Sequence, residues 1–175
     1  MRSKKNIFVL KFINTLLFIA LIFIQYNAVF SIKILRANPM LPTALLVAVC
    51  MFCSELTAAI SSLIVGVFID GIAATPQGFN AIVLLITGLA VSLIVRHLFN
   101  NNIFSALALC AIAGAFYFLL RWLFCYAFLL SFTENLTYLI RTVFPSVIYT
   151  TAFVTPFYYL EKTLYKKYYN DGHYK

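Results

Sequence analysis

Charge is scarce in this sequence: its 175 residues include 13 Lys and Arg and only 5 Asp and Glu, so 10% are charged while 63% are apolar. Soluble domains carry about 25% charged and roughly 45–50% apolar residues, which excludes a water-soluble globule. The scarcity of acids leaves no two carboxylates close enough in sequence to suggest an acid/base pair, and the chain has neither a Gly-rich phosphate loop nor a serine elbow. Enzymatic chemistry and bound cofactors are therefore not expected. Only two histidines are present; His97 stands beside Arg96 with no carboxylate or cysteine at a matching helical spacing, so it reads as a headgroup contact and no metal site is expected. The four cysteines include one C-x-x-C pair, Cys50 and Cys53, but it lies in an apolar segment with no basic neighbour to activate a thiolate. Cys110 and Cys125, about 22 Å apart by helical rise, cannot bridge each other. All four read as small packing residues. A net charge of +8 raises the question of nucleic acid, yet the cations sit at the edges of apolar segments rather than on one polar module, so no nucleic-acid partner is expected.

Long apolar runs are abundant. A spanning helix needs about 20 mostly apolar residues, and six runs qualify with unequal clarity: about 7–32, 40–54, 56–74, 79–97, 103–131 and 138–161. Pro39 and Pro42 lead into the short second run, Thr75-Pro76-Gln77-Gly78 separates the third from the fourth, and Asn100, Asn101 and Asn102 separate the fourth from the fifth. Pro145 and Pro156 interrupt the sixth, which is tolerable because neighbouring helices can satisfy the freed carbonyls. The first run is longer than a signal h-region of about 7–15 residues and lacks a clear small-x-small site before Lys33, so it reads as an uncleaved anchor. The expectation is an all-α integral membrane protein with six transmembrane helices in one polytopic domain, 1–175. Residues 162–175 would form a basic, Tyr-rich tail: Lys162, Lys166 and Lys167 with Tyr165, Tyr168 and Tyr169, preceded by Tyr158 and Tyr159, suit an anchor at an anionic leaflet or a docking surface.

Orientation follows the Lys/Arg bias. With six spans and the N-terminus inside, Arg2, Lys4, Lys5, Lys11, Arg96, Lys162, Lys166, Lys167 and Lys175 are cytoplasmic, against Lys33, Arg36 and Arg141 outside. Five spans would put the basic tail outside, and merging the second and third runs would leave Glu55 in mid-membrane. On an outer loop, Asn135-Leu136-Thr137 fits a glycosylation acceptor, a pattern common by chance.

The residues hardest to place in lipid are Asp70 and Arg121, each opposing insertion by about 2.5–3.5 kcal/mol near a helix centre. Ala58, Ser62, Gly66 and Asp70 recur every four residues on the third run, and Ala106, Cys110 and Gly114 form a second small-residue stripe that Arg121 rejoins. By helical rise Asp70 lies about 21 Å and Arg121 about 27 Å above their cytoplasmic starts. The spacing suggests that helices three and five pack through these stripes and that Asp70 pairs with Arg121, with Arg141 as a competing partner; the alternative is that Arg121 snorkels alone and Asp70 sits near the outer interface.

Gly66-Val67-Phe68-Ile69-Asp70-Gly71, followed by Thr75-Pro76-Gln77-Gly78-Phe79-Asn80-Ala81, resembles the signature of the MreD family of bacterial rod shape-determining membrane proteins. The resemblance covers about 20 residues of the third and fourth runs, the rest matching by hydropathy alone. It implies a non-enzymatic, multi-pass scaffold of the elongasome in the bacterial inner membrane, acting in cell shape and peptidoglycan synthesis. Its implied partners are an MreC-like bitopic protein and, through it, MreB, RodA and a class B penicillin-binding protein, and it admits a homodimer. The implied fold is similar to the six-helix substrate-binding subunits of energy-coupling-factor transporters. Gly66, Asp70, Gly71, Gly78 and Asn80 carry over as structural or interface residues, joined by Pro76 and Arg121 from the reading of the chain. In that reading Gly66 permits close packing, Gly71 and Gly78 relax the backbone around Pro76, and Asn80 caps helix four. The competing function is a vitamin-binding subunit of such a transporter, a class that usually shows an Ala-x-x-x-Ala contact on helix one; here Ala20 and Ala28 are eight apart with Ile24 between them. A membrane thiol oxidoreductase would need Cys50 and Cys53 near the outer surface, where the topology does not put them.

Overall fold

A computed structural model describes residues 2–27, 39–73, 75–97, 101–125 and 132–168. Lys33, Arg36, Ala28, Asn100, Tyr169 and Lys175, the ends of the first and fifth apolar runs, and the last residues of the tail lie outside the described residues. Every described element is helical: α1 (Arg2–Tyr26), α2 (Leu41–Phe52), α3 (Glu55–Asp70), α4 (Phe79–His97), α5 (Ile103–Cys125), α6 (Phe132–Tyr138) and α7 (Phe144–Tyr168), with a π-helical stretch, Leu139–Val143, between the last two. Three helical stretches, Phe8–Tyr26, Phe79–His97 and Ile103–Cys125, are long and apolar enough to cross a bilayer, which marks a membrane protein.

The distribution of side chains agrees with that solvent. Phe12, Phe23, Ile82, Ile112 and Phe104 are among many large apolar residues on the outside, while Ser62, Asn80, Thr87, Ser146, Thr150 and Glu161 are buried. An exterior more apolar than parts of the interior is stable where lipid, not water, covers it.

α2 is the centre. All of Leu41 to Met51 are buried, and α1, α3, α4, α5 and α7 all pack on it. At 12 residues it is about 18 Å long, too short to span a hydrocarbon core of about 30 Å by itself. From Leu41 to Met51 the helix is apolar on nearly all sides, Thr43 excepted, because no side of that stretch meets solvent or lipid.

The tightest helix pair is α3 with α4, and α5 lies on α7. This corrects the pairing suggested by the two small-residue stripes, since α3 and α5 make no extended interface. Ala58, Ser62 and Gly66 of the α3 stripe are buried, but against its own hairpin partner: a Cβ on Gly66 would run into the Cα of Ala81 and stand 2.7 Å from the Asn80 carbonyl, and one on Gly88 would collide with the Ser62 side chain. The stripe on α5 faces α7, with the Cys110 Sγ 3.7 Å from the Thr150 carbonyl.

Near the chain's end, α6, the π stretch and α7 form one continuous helical path, the flanking Tyr138 and Phe144 both having right-handed helical backbone angles. Pro145, just past the π turn, has no N–H and its ring crowds the carbonyl four residues earlier, which gives a physical cause for widening the turn there. α7 continues to Tyr168 and so takes in the first half of the expected tail. Tyr158 and Tyr165 are buried, with their rings 5.4 Å from that of Phe52, so they cover the end of α2 rather than serving as headgroup anchors, whereas Tyr159 is exposed.

Candidate functional site

The sequence-selected residues gather at the α3–α4 turn. α3 ends on Asp70, an unfavourable place for a carboxylate because the C-terminus of a helix carries partial negative charge. What relieves it is the start of α4. Asp70 Oδ1 accepts from the Asn80 backbone N–H at 3.0 Å and from Asn80 Nδ2 at 2.8 Å, and Oδ2 accepts from the Ala81 N–H at 2.9 Å. A carboxylate at a helix N-terminus satisfies orphan amides and meets the positive end of the dipole. Asp70, not Asn80, is therefore the capping side chain of α4, which corrects the role given to Asn80.

Asn80 has a different task. Its Nδ2 also donates to Thr75 Oγ1 at 2.7 Å, and its Oδ1 accepts from the Tyr117 hydroxyl at 2.6 Å. Asn80 and Tyr117 are both fully buried, so these bonds tie α3, the turn, α4 and α5 into one joint. Gly78 supplies the bend at φ +84°, a left-handed conformation that favours glycine. Gly71 has φ −70° and ψ −17°, and a Cβ there would meet only ordinary contacts, 3.6 Å from the Phe68 carbonyl, so its backbone does not require glycine, contrary to expectation. Pro76 is exposed in the turn, and its carbonyl accepts from the Phe79 N–H.

Arg121 reaches the same end of the molecule but not the same partner. It interacts with Tyr117, one helical turn away on α5. Among the described residues the ion pair within 4 Å is Glu55 with Arg96, at 2.8 Å, and not Asp70 with Arg121. Asp70 is instead engaged by α4 through both of its oxygens, in a geometry that the hairpin sets. Arg141, the other suggested partner, is exposed in the π stretch.

At the opposite end, Glu55 begins α3 and Arg96 lies in the last turn of α4, so each charge favours its helix terminus. The Asn101 Nδ2 donates to the Met51 carbonyl at 3.2 Å and the Tyr158 hydroxyl to the Asn101 carbonyl at 2.9 Å, closing that end across α2, α5 and α7. Cys53 donates to the Val49 carbonyl, and Cys50 lies 3.8 Å from the Ser62 hydroxyl; both are packed within helix contacts. The amide of Asn135 in the glycosylation-like triplet accepts from Trp122 Nε1 at 3.0 Å and so faces α5.

Sequence reasoning missed Tyr117, Gly88 and the buried pair of Asn14 and Glu161. A usable signal for the last was the recurrence of Tyr158, Glu161 and Tyr165 at three- and four-residue steps, which marks an inward face. Among the described residues no group of three His, Cys, Asp or Glu is placed to hold a metal. The arrangement as a whole can fix helices relative to one another. No family model, curated protein or solved structure matches the chain.

Proposed function

We propose that this chain is a non-enzymatic, MreD-like membrane scaffold that acts in bacterial rod shape and peptidoglycan synthesis. It crosses the inner membrane six times with both termini in the cytoplasm, and its partner is an MreC-like bitopic protein linked to MreB, RodA and a class B penicillin-binding protein. The observation that carries the reading is the use of Asp70, a charged residue inside the resemblance motif. Both of its oxygens accept hydrogen bonds from α4, and Asn80 passes the connection to Tyr117, so the motif serves to hold helices.

Support for six crossings comes from the end-to-end alternation of contacts. Asn14 meets Glu161 and Glu55 meets Arg96 at one end, while Gln25 meets Leu41 and Asp70 meets Asn80 at the other. α2 and α3, at 12 and 16 residues, would complete their crossings with flanking backbone shielded by the surrounding helices.

Depletion in a rod-shaped bacterium is expected to round the cells, and gentle detergent extraction to recover the MreC-like partner. Cells that stay rod-shaped, together with an extract lacking that partner, would end the scaffold reading. Stoichiometric retention of a vitamin by the purified chain would replace it with the transporter-subunit reading.

A further inference from the structure

A cavity of about 390 Å³ lies between α1 and α3, with Val49 and Phe52 of α2 at its floor and Tyr165 of α7 closing one side. Its volume falls within the range of small-ligand pockets, roughly 300–1,000 Å³. Toward one end the walls are apolar, from Phe18, Ile19 and Ile22 on α1 and Ile64, Val65 and Phe68 on α3. Ile19, Ile64 and Phe68 are exposed on the outer surface, so this end opens sideways to lipid.

The other end gathers groups that suit an anion. Lys11 is exposed and lines the cavity, as do Ser54 and Thr57 at the start of α3. Ser54 precedes α3 in an extended conformation without a side-chain cap, so the first turn keeps amides free to donate and presents the positive end of the helix dipole. The Ser54 and Thr57 hydroxyls lie 3.0 Å apart, and the one bond between them uses one proton and leaves the other to donate. Glu55, the acid of that turn, is taken up by Arg96 at 2.8 Å, and no Asp or Glu is among the residues that line the cavity.

Asn14 sets a second requirement one turn further along α1. It lines the cavity and is 7% exposed. Its Nδ2 donates to Glu161 Oε2, on a fully buried side chain outside the cavity lining, while its Oδ1 is a buried acceptor with no donor. Such an acceptor is costly until an O–H or N–H reaches it. A hydroxyl suits it better than an ammonium, which would set a second positive charge near Lys11 in a cavity lined by no acid. Read along α1, the lining calls for an anion at residue 11, a neutral donor about 4.5 Å deeper at residue 14, and hydrocarbon from residue 18 onward.

We propose that this cavity binds one monoacyl glycerophospholipid. Its phosphate lies at Lys11 and the first turn of α3, the free hydroxyl of its glycerol donates to Asn14 Oδ1, and its single chain follows the apolar walls of α1 and α3. The chemistry discriminates against diacyl lipids, which carry an ester where that hydroxyl stands and have no proton there to donate. The inference stands apart from the scaffold reading, because the cavity shares no residue with the α3–α4 joint.

The test uses the full chain purified in a mild detergent and challenged with four lipids: oleoyl lysophosphatidic acid, its propanediol analogue lacking the free hydroxyl, dioleoyl phosphatidic acid, and monooleoyl glycerol lacking the phosphate. Native mass spectrometry reads the lipid retained. Lysophosphatidic acid is expected to be held about fivefold better than the analogue, the value of one neutral hydrogen bond, and the diacyl form no better than the analogue. Lys11→Gln should lower retention of the three phosphates about tenfold, the value of one charge-assisted bond, and leave that of monooleoyl glycerol unchanged. Asn14→Leu should erase the preference for the hydroxyl, and the ligand series decides by itself if that variant does not fold. Equal retention with and without the hydroxyl, tighter binding of the diacyl lipid, phosphate retention unchanged in Lys11→Gln, or a hydroxyl preference that survives in folded Asn14→Leu would each overturn the proposal.

Discussion

Asp70 shows how one side chain settles a question that its charge alone leaves open. A carboxylate in an apolar run must find positive charge or donors, and both a guanidinium and a helix N-terminus qualify. The N-terminus of α4 wins because eight residues of turn bring it back to the end of α3. Asp70→Asn removes the charge and turns one acceptor into a donor facing donors, so thermal unfolding in detergent should show a loss of about 1–3 kcal/mol. Reversing both charges, with Asp70→Arg and Arg121→Asp, should recover nothing, because the carboxylate would then stand on α5. Tyr117→Phe strands the buried Asn80 Oδ1 and should cost a similar about 1–3 kcal/mol. The two glycines of the turn should differ: Gly78→Ala forces a left-handed alanine at a cost of about 1–2 kcal/mol, while Gly71→Ala should stay within about 0.5 kcal/mol of the parent.

At the scale of elements, the small-residue stripe on α3 was readable because four-residue spacing fixes a helix face. Its partner was not, since a stripe says how close a neighbour can come and not which neighbour it is. The fit is made by Gly66 under Ala81 and by Gly88 under Ser62, a complementarity that alternates sides along the hairpin. Gly66→Ala presses on the backbone of α4, which has no rotamer to yield, and should lower stability by about 1–3 kcal/mol or more. Gly88→Ala presses only on the Ser62 side chain, so adding Ser62→Gly should restore most of the melting temperature that Gly88→Ala loses. If the double variant melts no higher than the single one, the Ser62–Gly88 contact is not what sets this helix separation. The end of α7 was misjudged from sequence for a related reason. Tyr and Lys mixed together resemble an interfacial anchor, yet helical periodicity sorts them into a buried Tyr158, Glu161 and Tyr165 face and an exposed lysine face.

At the scale of the whole molecule, a core built round a buried central helix leaves an apolar exterior, and the ends of the helices carry the polar closures. Under the six-crossing proposal the α3–α4 turn and the end of α4 lie on opposite sides of the membrane. In a background with the four native cysteines replaced, Gln77→Cys should react with an impermeant maleimide on intact cells, and His97→Cys only after permeabilisation. Labelling of both from outside would refute the topology. Composition and hydropathy by themselves determined the solvent, the helical class and the approximate places of the helices, because these are sums over local stretches of chain and a bilayer imposes them at every position. Only the tertiary structure decided that α3 joins α4 and α5 joins α7, that α2 is enclosed on all sides, and that Asp70 caps a helix instead of pairing with Arg121. Those outcomes depend on which surfaces match in shape and which donors arrive first at a buried acceptor, properties that belong to two distant segments together and are written in neither one alone.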